Sequence, residues 1–111
     1  VARHARRMRA LYAERRATLL HTLVTEAADV MTVLAPEAGL HVVAWLARGI
    51  GEDDAVQAAR TARLEVYGLG AYSHRPQPPA LLLGYGAAPA TQLVDATRSL
   101  AAILRRSRKR R

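Results

Sequence analysis

Apolar residues recur at intervals of three, four and seven along the first part of the chain, which is the spacing of one face of an α-helix. This stretch contains neither Pro nor Gly, and it is dominated by Ala, Arg, Leu and Glu, which favour helices. The pattern predicts one long helix over residues 2–29. Its apolar stripe consists of Met8, Leu11, Tyr12, Leu19, Leu23, Ala27 and Val30.

Four shorter apolar segments are rich in β-branched and aromatic residues and predict strands. The first two cover residues 31–34 and 40–46, and the short connection between them, which contains Pro36, suits a hairpin. The other two cover residues 64–69 and 80–85, and the segment between them contains three prolines, which exclude regular structure there.

Two further helices are predicted between and after these strands. One begins at Asp53 or Asp54, whose side chains can cap it, and ends at about Arg63. The other covers residues 90–106, and Pro89 suits its start. The resulting order α-β-β-α-β-β-α predicts an α+β fold, in which helices pack on a mainly antiparallel sheet to form two layers.

The composition limits the class of protein. The 111 residues suffice for one domain, and half of them are hydrophobic, which argues against disorder. No apolar run approaches the ~20 residues of a membrane span, and no segment is typical of a signal peptide, so a cytoplasmic protein without membrane contact is expected. The absence of Cys excludes disulfides and thiolate sites. Since the first residue is Val1, the chain is expected to be processed or a fragment.

The net charge of +8 is concentrated at the two ends of the chain. Residues 1–16 carry six Arg and one Glu, and residues 105–111 carry five Arg and one Lys, whereas the part between them holds five Arg and eight acidic residues. A solvated helix face and a disordered tail over 105–111 explain this pattern most simply. Weak contacts with nucleic-acid phosphates are also expected. The residues that would make them are Arg105, Arg106, Arg108, Lys109, Arg110 and Arg111.

Residues for metal binding or nucleophilic catalysis are not arranged as those chemistries require. The four His include no His-x3-His pair, and none of the three Ser lies in a G-x-S-x-G motif. The one lysine, Lys109, lies in the basic terminal run, where a desolvated and reactive amine is not expected. The sequence therefore contains no candidate for a catalytic or metal-ligating residue.

Four segments, taken in order and at their spacing, carry a resemblance to a known family. They are RHARRMRALYAERRATLL at 3–20, GLHVVAWL at 39–46, YGLGAYS at 67–73 and LLLGYG at 81–86. Together they resemble the C-terminal end of MocR-type regulators, a group within the GntR family of transcription factors. Such proteins join an N-terminal winged helix-turn-helix to a domain similar to fold-type-I aminotransferases, and the resemblance covers essentially the whole chain.

The resemblance implies a place for this chain in a longer protein. Residues 1–104 would be the small C-terminal domain of the aminotransferase-like part, and residues 105–111 the basic tail. The winged helix-turn-helix for operator DNA, the lysine that carries pyridoxal phosphate and the residues that hold the cofactor would lie upstream. The chain alone would then bind no cofactor and catalyse nothing, while the full-length protein would contain pyridoxal phosphate and form a head-to-tail homodimer.

The resemblance also implies which residues approach the effector. In fold-type-I enzymes an Arg in a pattern such as L-R-L-G-Y binds the substrate α-carboxylate, and Leu82 stands at the matching position here. Because Leu cannot form that charged pair, the departure argues against the usual binding of an amino-acid carboxylate and leaves transamination by the full-length protein an open question. The segment from Gly39 to His41 would approach the pocket, although a tight turn into a buried strand explains it equally well. The residues expected near the effector are Gly39, Leu40, His41, Tyr72 and Leu82.

Two alternatives from other classes stay open. The chain could be the C-terminal part of a true pyridoxal-phosphate-dependent aminotransferase of class I/II, and a winged helix upstream would decide against this. It could also be a small nucleic-acid-binding module that acts through its basic ends. An affinity for nucleic acid that survives physiological salt would favour the module.

Overall fold

The structure is a computed structural model that describes residues 2–33 and 41–109. Within these residues the predicted order of helices and strands and the α+β fold class are confirmed, with one additional short 3-10 helix, η1. The elements are α1 (Ala2–Glu26), β1 (Met31–Thr32), β2 (His41–Leu46), α2 (Glu52–Thr61), β3 (Glu65–Gly68), η1 (Leu69–Tyr72), β4 (Ala80–Gly84) and α3 (Ala90–Lys109).

The four strands form one antiparallel sheet in the order β1-β2-β4-β3. The predicted pairing of β1 with β2 is confirmed. Strand β4, the last in sequence, lies between β2 and β3, so that Leu82 is paired with Val43 on one side and with Tyr67 on the other. Both neighbours of β4 are therefore fixed by backbone hydrogen bonds.

The core lies between one face of this sheet and the helices. In β2 and β3 buried residues alternate with more exposed ones, as expected for a sheet with one covered face, whereas in β4 every residue but Leu82 is buried. The strand residues that belong to the core are Met31, Val42, Ala44, Val66, Leu81 and Leu83. The helices contribute leucines that are at most 1% exposed, each worth about 1.5–3 kcal/mol of burial free energy. These leucines are Leu19, Leu23, Leu93, Leu100 and Leu104.

The end of α1 and the N-cap of α2 differ from their predictions. Helix α1 ends at Glu26 because the chain then turns, with the amides of Val30 and Met31 both donating to the Ala27 carbonyl, to bring β1 beside β2. The prediction that Asp53 or Asp54 caps α2 is wrong. Gly51 is the N-cap, and both aspartates lie in the first turn, where the helix dipole favours negative charge.

The disordered tail predicted over 105–111 is wrong for 105–109, which form the last turn of α3. The physical reason is Asp29, whose carboxylate accepts hydrogen bonds from two nitrogens of Arg105 at 2.5 and 2.7 Å. Arg105 also donates to the carbonyl oxygen of Glu26, and Arg108 donates to the carbonyl oxygen of Asp29 at 2.8 Å. These contacts satisfy the end of α1 and order the end of α3. Residues 110 and 111 lie outside the described residues.

A second ion pair also joins α3 to the end of α1. The Nε of Arg98 donates to the Glu26 carboxylate at 2.7 Å. The hydrogen bond from Arg98 lowers the pKa of Glu26 below its ordinary value of 4.5, and the hydrogen bond from Arg105 lowers the pKa of Asp29 below 3.8. Both carboxylates therefore favour the folded chain while they are ionised.

Replacing Arg105 with Ala is expected to lower the free energy of unfolding by about 1 kcal/mol, since the lost pair is partly exposed. The exposed neighbour Arg106 provides the matched control, Arg106→Ala, which should have little effect. The pKa of Asp29 is depressed in the folded chain, so the contribution is present above pH 3.8 and is lost as the pH falls further. Urea titrations at neutral and at strongly acidic pH test this. A deficit of equal size at both would contradict the ion-pair explanation.

Helix α2 ends in a Schellman motif that contains a non-glycine residue in the left-handed region. The amide of Arg63 donates to the Arg60 carbonyl at 3.0 Å, and that of Leu64 donates to the Ala59 carbonyl at 2.9 Å. Arg63 has φ of 68° and is the one non-glycine residue with positive φ among the described residues. This conformation costs an L-residue with a Cβ about 1 kcal/mol.

Arg63→Gly is therefore expected to stabilise the chain by about 1 kcal/mol, because glycine adopts the left-handed conformation without the steric cost. The matched control is Arg60→Gly, at an exposed position within α2 three residues earlier. This change should destabilise the folded chain by about 1 kcal/mol. Thermal unfolding of the two variants should thus show shifts of opposite sign. A lower melting temperature for Arg63→Gly would mean that the Arg63 side chain contributes more than its backbone conformation costs.

Candidate functional site

The sheet face opposite the core is the open face, which none of the three described α-helices covers. Its residues form rows across the strands because the register places them side by side. One row is His41, Gly84 and Glu65, and the next is Val43, Leu82 and Tyr67. The remaining outward-facing strand positions are Thr32, Trp45 and Ala80.

Glu65 lies across the first row of the open face. Its carboxylate accepts a hydrogen bond from Nε2 of His41 at 3.2 Å when that nitrogen is protonated. To reach His41, the carboxyl group passes over Gly84, where the position of an added Cβ would be only 2.5–2.7 Å from it. Glycine at position 84 is thus required for the His41–Glu65 contact. Both side chains are more than a third exposed, at 38% and 39%.

Three rings follow one another along the open face. Tyr67 lies edge-to-face with His41, with ring centroids 5.4 Å apart, and edge-to-face with Tyr72, with centroids 5.8 Å apart. Tyr72 belongs to η1 and is 62% exposed. The rings of His41, Tyr67 and Tyr72 therefore form an accessible aromatic row, which ends at the Glu65 carboxylate.

Glu52, the first residue of α2, determines where η1 lies. Its carboxylate accepts hydrogen bonds from the amide of Gly70 at 3.1 Å and from the amide of Ala80 at 3.0 Å. An added Cβ on Gly68 or Gly70 would lie 2.9 or 3.0 Å from the Glu52 carboxylate. The two glycines of YGLGAYS thus make room for Glu52, which holds the segment that carries Tyr72.

The structure brings together three of the five residues expected near the effector. His41, Tyr72 and Leu82 all border the open face around Tyr67. Gly39 and Leu40 lie outside the described residues. That these positions contact an effector stays a prediction.

The residues expected to contact phosphates are partly engaged elsewhere. Arg105 and Arg108 bind Asp29 or its backbone, while Arg106 is exposed. The side chain of Lys109 and both residues 110 and 111 lie outside the described part of the chain. Phosphate binding at this end also stays a prediction.

Sequence reasoning missed Glu52, Glu65 and Tyr67. The sequence patterns assign no role to Glu52, and they place Glu65 and Tyr67 only within the strand predicted over residues 64–69. The available signal was the glycines: Gly68 and Gly70 in one motif and Gly84 in another leave space that a side chain from a neighbouring element must fill.

The open face does not by itself fit pyridoxal phosphate. The cofactor's phosphate needs cationic or amide donors and its aldehyde needs a lysine amine. None of the outward-facing positions of the described strands holds Lys or Arg. No step that involves the cofactor can be assigned to these residues.

Two other kinds of site are also lacking among the residues described. Residues 2–33 and 41–109 contain no group of three or more His, Asp or Glu side chains that could hold a metal ion. Over the same ranges no helix has the length and apolar character to cross a lipid bilayer.

Comparisons with known proteins relate the sequence of this chain to that of a transcriptional regulator. No family model matches the chain. Over 85 residues, 76% of the chain, it is 31% identical to YhdI of Bacillus subtilis, an HTH-type transcriptional regulator, and it spans 18% of that relative's length.

Solved structures of aminotransferases share the fold. The chain superposes on the α-aminoadipate aminotransferase LysN of Thermus thermophilus with a TM-score of 0.80 at 20% identity, covering 96% of this chain and 28% of LysN. For the kynurenine aminotransferase of Pyrococcus horikoshii the TM-score is 0.78 at 19% identity, and 95% of this chain and 26% of that one are covered. The chain therefore has the fold of one part of the aminotransferases and is related in sequence to a transcriptional regulator, which confirms the resemblance at this level.

Glu52→Gln is expected to loosen the segment that carries Tyr72, because an amide offers one acceptor oxygen where the carboxylate offers two. Amide hydrogen exchange at Gly70 and Ala80 should accelerate, and the free energy of unfolding should fall by about 1 kcal/mol. The control is Asp53→Asn, on the exposed neighbouring residue of the same helix turn. Unchanged exchange at both amides in Glu52→Gln would show that other contacts hold the segment.

Proposed function

We propose that the chain is the C-terminal, aminotransferase-like part of a cytoplasmic, pyridoxal-phosphate-linked transcriptional regulator of the MocR type in the GntR family. One observation carries the proposal: a chain with an aminotransferase fold is 31% identical to an HTH-type regulator over 76% of its length. Since the chain spans only 18% of that relative, the rest of the regulator would be supplied by further sequence.

The partners follow from this assignment. The small domain, proposed from the sequence as residues 1–104, would include the end of α3 to Lys109, because that end is bound to Asp29. It would pack on the large domain of its own chain, which would contain the cofactor lysine. A winged helix-turn-helix in the same chain would bind operator DNA, and the full-length protein would be a homodimer.

The role of this chain in such a protein is recognition and not catalysis. Pyridoxal phosphate, where bound, supplies an aldehyde that reacts with amines. The 111-residue chain alone would bind no cofactor and catalyse nothing, since the outward-facing positions of the described strands hold neither Lys nor Arg. His41, Tyr72 and Leu82 would form the small-domain side of the effector pocket, and Glu52 would hold Tyr72 in place.

The alternative of a true aminotransferase is favoured by the structural neighbours but disfavoured by Leu82. This residue lies in the middle of β4, between Val43 and Tyr67, and has no charge with which to bind a carboxylate. The alternative of an independent nucleic-acid module is weakened because Arg105 and Arg108 are engaged at the end of α1.

The complete protein tests the proposal. Its reading frame should encode a winged helix-turn-helix upstream, and the purified protein should bind its own promoter region in a mobility-shift assay. Removal of the 111 residues should leave the DNA-binding module in place but abolish the response of DNA binding to pyridoxal phosphate and small amino compounds. Transaminase turnover by a complete protein without a DNA-binding module would overturn the proposal in favour of the aminotransferase.

A further inference from the structure

We propose that the open face binds its ligand through an ammonium group, with the Glu65 carboxylate as the charged partner and the rings of Tyr67 and Tyr72 as aromatic walls. The ligand class is an aliphatic amine. The inference rests on the proposed function, under which this face is turned towards the effector. It adds the chemistry of the group that the face recognises.

The first argument is the place of Glu65. Its carboxylate lies over Gly84, the last residue of the inner strand β4, and so stands between β2 and β3 at one end of the open face. The side chain is 39% exposed, and the hydrogen bond with His41 uses one of about four lone-pair positions of the carboxylate. The remaining positions can accept N–H donors from a ligand.

The second argument is the sign of the charge. Among the outward-facing positions of the described strands, Glu65 is the one acidic residue, and none is Lys or Arg. His41, the other titratable residue in that row, already contacts the Glu65 carboxylate. At these strand positions a ligand carboxylate would find no Lys or Arg to pair with, whereas an ammonium group would find an opposite charge at Glu65.

The third argument is the aromatic row. Edge-to-face packing between Tyr67 and Tyr72 leaves ring faces available, and Tyr72 is 62% exposed. Ring faces attract cations through their negative quadrupole, and an alkylammonium group, being less strongly hydrated than a small metal ion, suits such surfaces. A divalent metal is disfavoured because it requires several oxygen ligands, and Glu65 supplies the one carboxylate on these strand positions.

The fourth argument is the apolar row beside the carboxylate. Val43 and Leu82 are half-buried neighbours of Tyr67 in the register and offer a hydrocarbon surface next to the charged group. The methylene groups of an aliphatic amine would lie on this row while the ammonium group reaches Glu65. The side chains of Val43 and Leu82 give no polar contact to a second charged group.

The test uses the isotopically labelled 111-residue chain and three probes of matched size: 1-butylamine, butyrate and 1-butanol. Amide and side-chain shifts should move with butylamine at residues 65–72 and at His41 and should saturate in the millimolar range, while butyrate should cause no such change. Glu65→Gln, which keeps the shape of the side chain, should weaken butylamine binding at least tenfold. Asp53→Asn, an equal loss of charge on exposed α2, should leave it unchanged.

A second variant keeps the test decisive if Glu65→Gln disturbs the fold. Leu82→Arg places a cation in the row next to Glu65 and should abolish butylamine binding while it permits butyrate binding. Equal binding of butylamine and butyrate to the original chain, or butylamine binding that Glu65→Gln leaves intact, would overturn the proposal. So would shifts centred on Asp53 and Asp54 instead of on the open face.

The outcome is separable from that of the proposed function. If butylamine binds the chain at Glu65 but the complete protein does not bind DNA, the amine site stands and the regulator assignment falls. If the complete protein binds its promoter and responds to pyridoxal phosphate while the chain shows no preference for butylamine, the regulator stands and the amine site falls.

Discussion

The pairing of β4 with a strand on each side is the constraint on which the rest of the structure depends. As an inner strand, β4 has both edges satisfied by backbone hydrogen bonds, and Leu81 and Leu83 fill the core beneath it. Two of its outward-facing residues, Leu82 and Gly84, then lie on the open face between β2 and β3. The most buried strand of the fold thus also forms the middle of the candidate site, so the packing of the core fixes the geometry of the surface above it.

Glycines opposite carboxylates are the second organising feature. Glu65 reaches His41 over Gly84, and Glu52 reaches two amides beside Gly68 and Gly70. In both cases the missing Cβ provides the space that the carboxyl group occupies. The Glu52 carboxylate binds the backbone amide of Gly70 in η1, whereas the Glu65 side chain remains more than a third exposed. This difference separates a structural acid from one that can meet a ligand.

Local sequence patterns predicted the helices and strands well, because each shows a periodic spacing of apolar residues or is bounded by Pro or Gly. The apolar stripe of α1 and the apolar run at residues 80–85 were sufficient for their type and order. The end of α3 was not predictable locally. Arg105 follows the last apolar position, Leu104, and its helical state depends on Asp29, far away in sequence. The aromatic row was missed for the same reason, since the contact of His41 with Tyr67 exists only because β4 lies between β2 and β3.

The distribution of charge changes its meaning once these long-range contacts are known. The sequence of the basic C-terminal end predicts a surface that contacts phosphates. In the structure, however, Arg105 and Arg108 donate hydrogen bonds to carbonyl groups at and just after the end of α1. The open face, in contrast, carries an acidic group without a neighbouring Lys or Arg on its outward-facing strand positions. The net charge of +8 therefore does not describe the field at the candidate site. A ligand at that face meets a local negative charge among aromatic rings. Salt screens such a short-range contact less than it screens the long-range interaction of the ligand with the basic ends of the chain. The selectivity of the face for charge is thus set by Glu65 and not by the overall composition.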